Sequence, residues 1–201
     1  MNNNNNNYLL SLCDNCGCAR YPFCNINGAI CNKCTHHHHL PNIQKTKKGG
    51  GIYREIKVAE NGDCLFECIM TAFRGLISIE ELRNIVASKQ TRETFRAYKQ
   101  LQNEEFPYMK GLTKLSDFKA FVRKRGKYFG PKQCYWGDEN ALTILADSLK
   151  ICFAIYGDSD NKLIKKQQIG LATNPIIMLH HMEDHYTLVI GPPQEIDCKI
   201  T

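Results

Sequence analysis

Asn61-Gly62-Asp63-Cys64-Leu65-Phe66 is the stretch on which the fold turns. The cluster Asn61-Gly62-Asp63 is a turn signal. Tyr53–Ala59 before it reads as a short strand, and Leu65, Phe66, Ile69, Met70 and Phe73 after it recur at helical spacing. Cys64 therefore stands where a helix begins. Unpaired N–H groups and the positive end of the helix dipole favour a thiolate at such a place. The same N–H groups, with those of the turn, can receive an oxyanion. Asp63 opposes this, because an adjacent carboxylate raises the pKa of a thiol. A buried structural thiol fits the same pattern, since free Cys commonly behaves as a small hydrophobe. What gives the stretch a chemical reading is a distant partner. His185 opens the apolar run His185-Tyr186-Thr187-Leu188-Val189-Ile190, a strand with an imidazole at its mouth. A thiol and a positioned imidazole suffice for nucleophilic catalysis.

The chain has 11 Cys in 201 residues, so the choice of Cys64 needs its surroundings. Cys13, Cys16, Cys18, Cys24, Cys31 and Cys34 crowd the N-terminal part. Of the rest, Cys152 lies in the apolar run Ile151–Tyr156 and reads as buried, and Cys68 follows Cys64 by one helical turn on the core side. Cys134 and Cys198 have no helix start beside them. His180 and His181 read as surface residues flanking the turn Met182-Glu183-Asp184, and Trp136 as a packing anchor under Gly137.

Three segments together resemble the ovarian-tumour (OTU) family of cysteine proteases. They are Asn61–Phe66, similar to a family pattern of Asp-Gly-Asn-Cys-Leu-Phe type; Tyr135–Ala146, similar to the family's Trp-Gly segment that opens a helix; and His185-Tyr186 at the head of the final strand. Their order fits, and the resemblance spans about residues 52–192. It implies an α+β, papain-type cysteine protease fold, and hydrolysis of the bond after the C-terminal glycine of ubiquitin or a ubiquitin-like modifier. Cys64 is then the nucleophile and His185 the base, with no cofactor in the chemistry. Two positions depart from the pattern. Asn61 stands where the family usually has Asp, and Thr187 stands two residues after the His, where many members have Asp or Asn. The group that orients His185 is therefore open among Asn61, Thr187 and Asp63. Asn61 is preferred, because an amide oxygen can accept an imidazole N–H as in Cys-His-Asn proteases.

The remaining sequence divides as follows. Residues 1–7 are a low-complexity poly-Asn stretch, expected to be disordered. Residues 8–40 form a Cys-rich appendage in which Cys13-x2-Cys16 and Cys31-x2-Cys34 are separated by 14 residues. Paired thiolates at that spacing can clamp a tetrahedral zinc ion. The preferred ligands are Cys13, Cys16, Cys31 and Cys34, although Cys18, Cys24 and His36–His39 are nearby. About 40 residues do not bury a core unaided, so order here would require the metal. Residues 41–51 read as a linker and residues 193–201 as a tail. Arg20, Lys33, Lys45, Lys47 and Lys48 face Asp14 alone within residues 1–50, so most of the net charge of +6 lies there.

In the 52–192 region, helices are expected at Cys64–Phe73, Ile79–Lys89, Arg92–Leu101, Ser116–Arg125 and Glu139–Leu149, and strands at Ile151–Tyr156, Leu163–Gln168, Ile176–Leu179 and His185–Ile190. Helices followed by strands make an α+β domain. The basic run Arg123–Lys127 reads as a solvated helix end. No apolar run approaches the roughly 20 residues of a membrane span. Met1 followed by Asn2–Asn7 lacks the basic and apolar regions of a secretory signal. Abundant Cys without such a signal suggests reduced thiols or metal, hence an intracellular site, cytoplasm or nucleus. The expected partner is ubiquitin, polyubiquitin or a modified conjugate, acted on by a monomer; membranes and nucleic acid are not expected partners. Two rival readings are a catalytically weak OTU-like scaffold that binds ubiquitin, suggested by Asn61 and Thr187, and a nucleic-acid-binding zinc protein, suggested by the basic N-terminal part.

Overall fold

The computed structural model describes residues 43–48, 51–103, 106–129, 133–159 and 162–190. The Cys-rich segment and its preferred zinc ligands, the poly-Asn stretch and the tail lie outside the described residues. A helical layer packs on one face of a mixed sheet, so the α+β class is as expected. The helices are α1 (Cys64–Ala72), α2 (Ile79–Lys89), α3 (Arg92–Gln100), α4 (Leu115–Arg123), the single turn α5 (Gly126–Phe129) and α6 (Glu139–Leu149). The strands are β1 (Ile43–Lys48), β2 (Gly51–Ile56), β3 (Cys152–Ser159), β4 (Lys162–Ile169), β5 (Ile176–Met182) and β6 (His185–Ile190). The sheet order is β1-β2-β6-β5-β3-β4. β3 and β5 run parallel, and the other neighbours are antiparallel.

Local chemistry accounts for most boundaries. Ser78 and Glu81 form a reciprocal cap at the start of α2, and Thr91 and Thr94 do the same for α3. Asp138 caps α6 through the Ala141 N–H at 3.0 Å. Strand alternation then sorts the sheet. Phe153, Ile155, Leu179, Leu188 and Ile190 belong to the main core with Leu65, Phe66 and Ile69 of α1. Ala154, Tyr156 and Val189, with Leu163, form a smaller cluster.

Three expectations are corrected. Residues 43–48, read as linker, form strand β1, paired with β2 from Ile43↔Ile56 to Lys48↔Gly51. A lysine-rich edge strand has no apolar alternation of its own, and lysines are what edges carry. β2 ends at Ile56, so Lys57–Ala59 are free to lead into the Cys64 turn. Finally, His180 is no surface turn residue: β5 continues through Met182 and leaves His180 1% exposed. Its Nδ1 lies 3.1 Å from Glu55 Oε1, so the buried ring has an acidic partner.

Candidate active site

α1 begins at Cys64, with Asp63 at the cap position but with no side-chain cap bond. The thiol end of the helix is held by the backbone of one residue of β6. Cys68 Sγ donates to the Tyr186 carbonyl at 3.6 Å, and the Tyr186 N–H acts on the Cys64 thiol. A strand residue directs its N–H and C=O to the same side, so both thiols lie along one edge of β6. That edge is open because β2 pairs with β6 only at Leu188–Ile190. On its other edge Tyr186 pairs with His181 of β5, and the two rings stack 4.4 Å apart. The nucleophile candidate thus sits beside Tyr186, the residue that follows His185, 122 positions away in sequence. His185 is half-buried and opposes Met182 as the last pair of the β5–β6 hairpin, beyond a turn in which Glu183 has φ 51.

Cys64 is 7% exposed, and burial pushes its thiol up, with Asp184 pushing further; the N–H groups of Tyr186, Leu65 and Cys64 itself pull it down but do not prevail. The resting group is therefore a thiol, and attack requires a base. Cys68, fully buried, is held higher still by burial.

The loop before Cys64 is fixed from below by an arginine absent from the sequence-level expectations. Arg83 of α2 is 0% exposed. Its Nε donates to Asp63 Oδ1 at 2.9 Å, one terminal nitrogen to the Val122 carbonyl at 2.8 Å, and the other to the carbonyls of Gly62 at 2.9 Å and Tyr135 at 3.1 Å. The guanidinium also lies 4.3 Å above the Phe66 ring centroid. The second Asp63 oxygen accepts from Arg125 Nε at 3.1 Å and from the Lys127 N–H at 3.0 Å. Burial alone would raise the Asp63 pKa, but the Lys127 N–H, Arg83, the Gly126 N–H and Arg125 outweigh it, so Asp63 is held low. Burial pulls Arg83 down more than Asp63 lifts it, but a guanidinium stays charged at any working pH.

In the run Arg123–Lys127, Arg123 ends α4 and is exposed, as is Lys127, in line with a solvated helix end, but Arg125 and Gly126 turn in against the loop before Cys64. Gly126 lies against the loop so closely that a Cβ there would stand 1.8 Å from the Asn61 carbonyl oxygen. The Trp-Gly segment makes a matching approach from the other side: a Cβ on Gly137 would stand 2.2 Å from Leu65 Cδ2. Tyr135, at 0% exposure, is the anchor of that segment, and Trp136 is half-buried. Asp138 accepts from the Tyr98 and Tyr135 hydroxyls, each at 2.5 Å, which locks the turn to α3.

Of the sequence-derived candidates, Cys64 and the His185–Tyr186 strand start come together. Asn61 is half-buried, and its Oδ1 accepts the Asp63 N–H at 3.0 Å. Asp63 is committed to the arginines. Thr187 is 1% exposed, faces His180 across the ladder, and its hydroxyl has no hydrogen-bond partner among the described residues. An open cleft of about 770 Å³ shares Asp184 and Tyr186 with the surroundings of Cys64 and continues past Trp136, Gly137, Glu139 and His181. Among the described residues no group of three or more His, Cys, Asp and Glu could hold a metal ion. Arg83 and Gly126 were missed because each acts through the carbonyls and carboxylate of a distant loop, a role that leaves no local pattern.

No protein-family profile matches the chain, and no curated protein matches it. Among solved structures it is similar to an OTU domain in complex with ubiquitin, at 15% identity and TM-score 0.46, over 72% of this chain and 75% of that one. It is also similar to the viral OTU domain protease from Farallon virus, at 16% identity and TM-score 0.48, over 76% and 99%. A third is an OTU deubiquitinase from Wolbachia pipientis wMel bound to ubiquitin, at 14% identity and TM-score 0.44, over 69% and 96%.

Proposed function

We propose that the chain is a thiol-dependent deubiquitinating hydrolase, cleaving the bond after the C-terminal glycine of ubiquitin or a ubiquitin-like modifier. The reading is carried by the Tyr186 backbone, whose N–H and C=O lie against Cys64 and Cys68 and so bring the helix start to the strand headed by His185. The motif resemblance supplies the substrate class. Cys64 attacks the scissile carbonyl carbon after His185 takes its proton. The carbonyl electron pair moves onto oxygen, where N–H groups of the Gly62–Cys64 loop receive it. Collapse expels the amine, which takes the proton back from His185, and water then releases the acyl group. Asn61 is the third residue of the site, acting from the loop. The cleft beside Trp136 and Tyr186 takes the extended modifier tail.

The appendage is proposed to bind one zinc ion through Cys13, Cys16, Cys31 and Cys34, as a structural group outside the chemistry. Elemental analysis of chelator-dialysed protein tests this, and metal-free protein would refute it. The catalytic unit is proposed to act as a monomer inside the cell. In keeping with that, the buried thiols of Cys64, Cys68 and Cys152 are in no disulfide. Among the described residues no helix is long and apolar enough to cross a membrane.

A second reading, a ubiquitin-binding scaffold with weak catalysis, is favoured by the raised Cys64 thiol and by Thr187 in place of a carboxylate or amide. Incubation with a panel of ubiquitin dimers, beside Cys64→Ala, separates the two. Cleavage lost in the variant supports the hydrolase, and binding without cleavage supports the scaffold.

A further inference from the structure

Arg83 takes no part in the chemistry above, yet it is the most completely enclosed polar side chain next to the site, and its contacts are backbone carbonyls as well as Asp63. We infer that Arg83 is a positioning residue: by gripping the Gly62 carbonyl it aims the Asp63 N–H at the point where the oxyanion of the acyl-transfer step forms. This rests on the hydrolase reading and adds to it the loop donor and the residue that holds it.

A trans peptide unit is planar, so its C=O and N–H point in opposite directions. Arg83 draws the Gly62 carbonyl into the protein at 2.9 Å. The N–H of the same unit, that of Asp63, must then point away from Arg83. It does, and it meets the Asn61 side-chain oxygen at 3.0 Å. The half-buried Asn61 amide thus occupies the donor in the free protein and can rotate aside when a charged oxygen competes for it. A charged acceptor makes the stronger bond. The flanking residues keep the peptide from turning over. Asp63 is clamped on both oxygens, and the Asn61 carbonyl is packed on Gly126. Lysine could neutralise Asp63, but it lacks the fork that reaches Asp63 and the Gly62 and Tyr135 carbonyls together.

The test separates two reactions of one thiol. Attack on a p-nitrophenyl ester bonds sulfur to the carbonyl carbon through an oxyanion and releases p-nitrophenolate. Alkylation by iodoacetamide displaces iodide and forms no oxyanion. In Arg83→Lys, Cys64 acylation should fall about 10²-fold, the scale of one lost oxyanion donor, with the alkylation rate and its pH profile unchanged. Equal changes in both reactions, or none, would overturn the inference.

If that variant does not fold, the wild type answers alone. N-acetylglycinal adds to a thiol as a tetrahedral hemithioacetal, and the Asp63 amide resonance should shift as Cys64 is modified. A modified Cys64 with an unmoved Asp63 amide would overturn it, as would a wild-type Cys64 that takes no acyl group. Wild type that acylates from the ester but leaves a ubiquitin amide intact would instead defeat the ubiquitin reading, with this inference still standing.

Discussion

Arg83 and Asp63 form an ion pair with Nε to Oδ1 at 2.9 Å and side-chain exposures of 0% and 1%, directly before the candidate nucleophile. The pair inverts an expectation. Beside Cys64 in the sequence, Asp63 reads as a charge that suppresses the thiolate. In the structure the acidic neighbour that raises the thiol is Asp184, and Asp63 is spent on two arginines.

Asp63→Ala should therefore be severe. It leaves a buried guanidinium without its partner, a loss of about 3–5 kcal/mol for a buried pair broken on one side. Chemical denaturation would show a midpoint far below that of wild type. A variant as stable as wild type would mean that water or another group takes over the pairing.

The same pair sets an acid response. The folded Asp63 pKa lies below its ordinary value of 3.8, so its contribution is complete above that pH and lost as pH falls through the lower folded value. Thermal unfolding followed below pH 4 should show a smaller acid loss in Asp63→Asn than in wild type, although the variant starts less stable at neutral pH. Parallel curves would remove Asp63 from the acid response.

Gly126→Ala should lower turnover more than its distance along the chain suggests. The new methyl has no room before the Asn61 carbonyl, 1.8 Å from its ideal position, so the loop must move. The expected signature is reduced kcat with near-normal KM on a ubiquitin–fluorophore substrate. Full activity would show that the loop tolerates displacement.

The Cys64 thiol, raised by burial and Asp184, should be slow to alkylate at neutral pH, with a rate still climbing past the ordinary thiol value of 9.0. Asp184→Asn should bring that profile to lower pH. An unmoved profile would leave burial as the whole cause.

Much of the fold was legible because its signals are local. α2 and α6 fall at Ile79–Lys89 and Glu139–Leu149, the bounds expected from the sequence, and β6 begins at His185. β1 was not legible, because its pairing is supplied by β2. The site was half legible. A turn before an apolar helix marks Cys64, and an imidazole at a strand mouth marks His185. The tie between them is the backbone N–H and C=O of Tyr186, and backbone groups carry no residue signature. Arg83 reads like any polar residue of an amphipathic helix, because the carboxylate and carbonyls it binds lie in segments 20 and more positions away. His180 was misplaced for the opposite reason: a polar residue near a turn reads as exposed unless its buried partner, Glu55, is known.

The central claim is that Cys64 is a nucleophile matched to the C-terminus of ubiquitin. The most direct measurement is intact-mass and peptide mapping after incubation with ubiquitin bearing a C-terminal propargyl group. The account predicts one ubiquitin added per chain, attached at Cys64, with no adduct in Cys64→Ala. In His185→Ala the full chain should cleave a ubiquitin–fluorophore amide about 10²-fold or more slowly. An adduct on another cysteine, or none on folded wild-type protein, would contradict it.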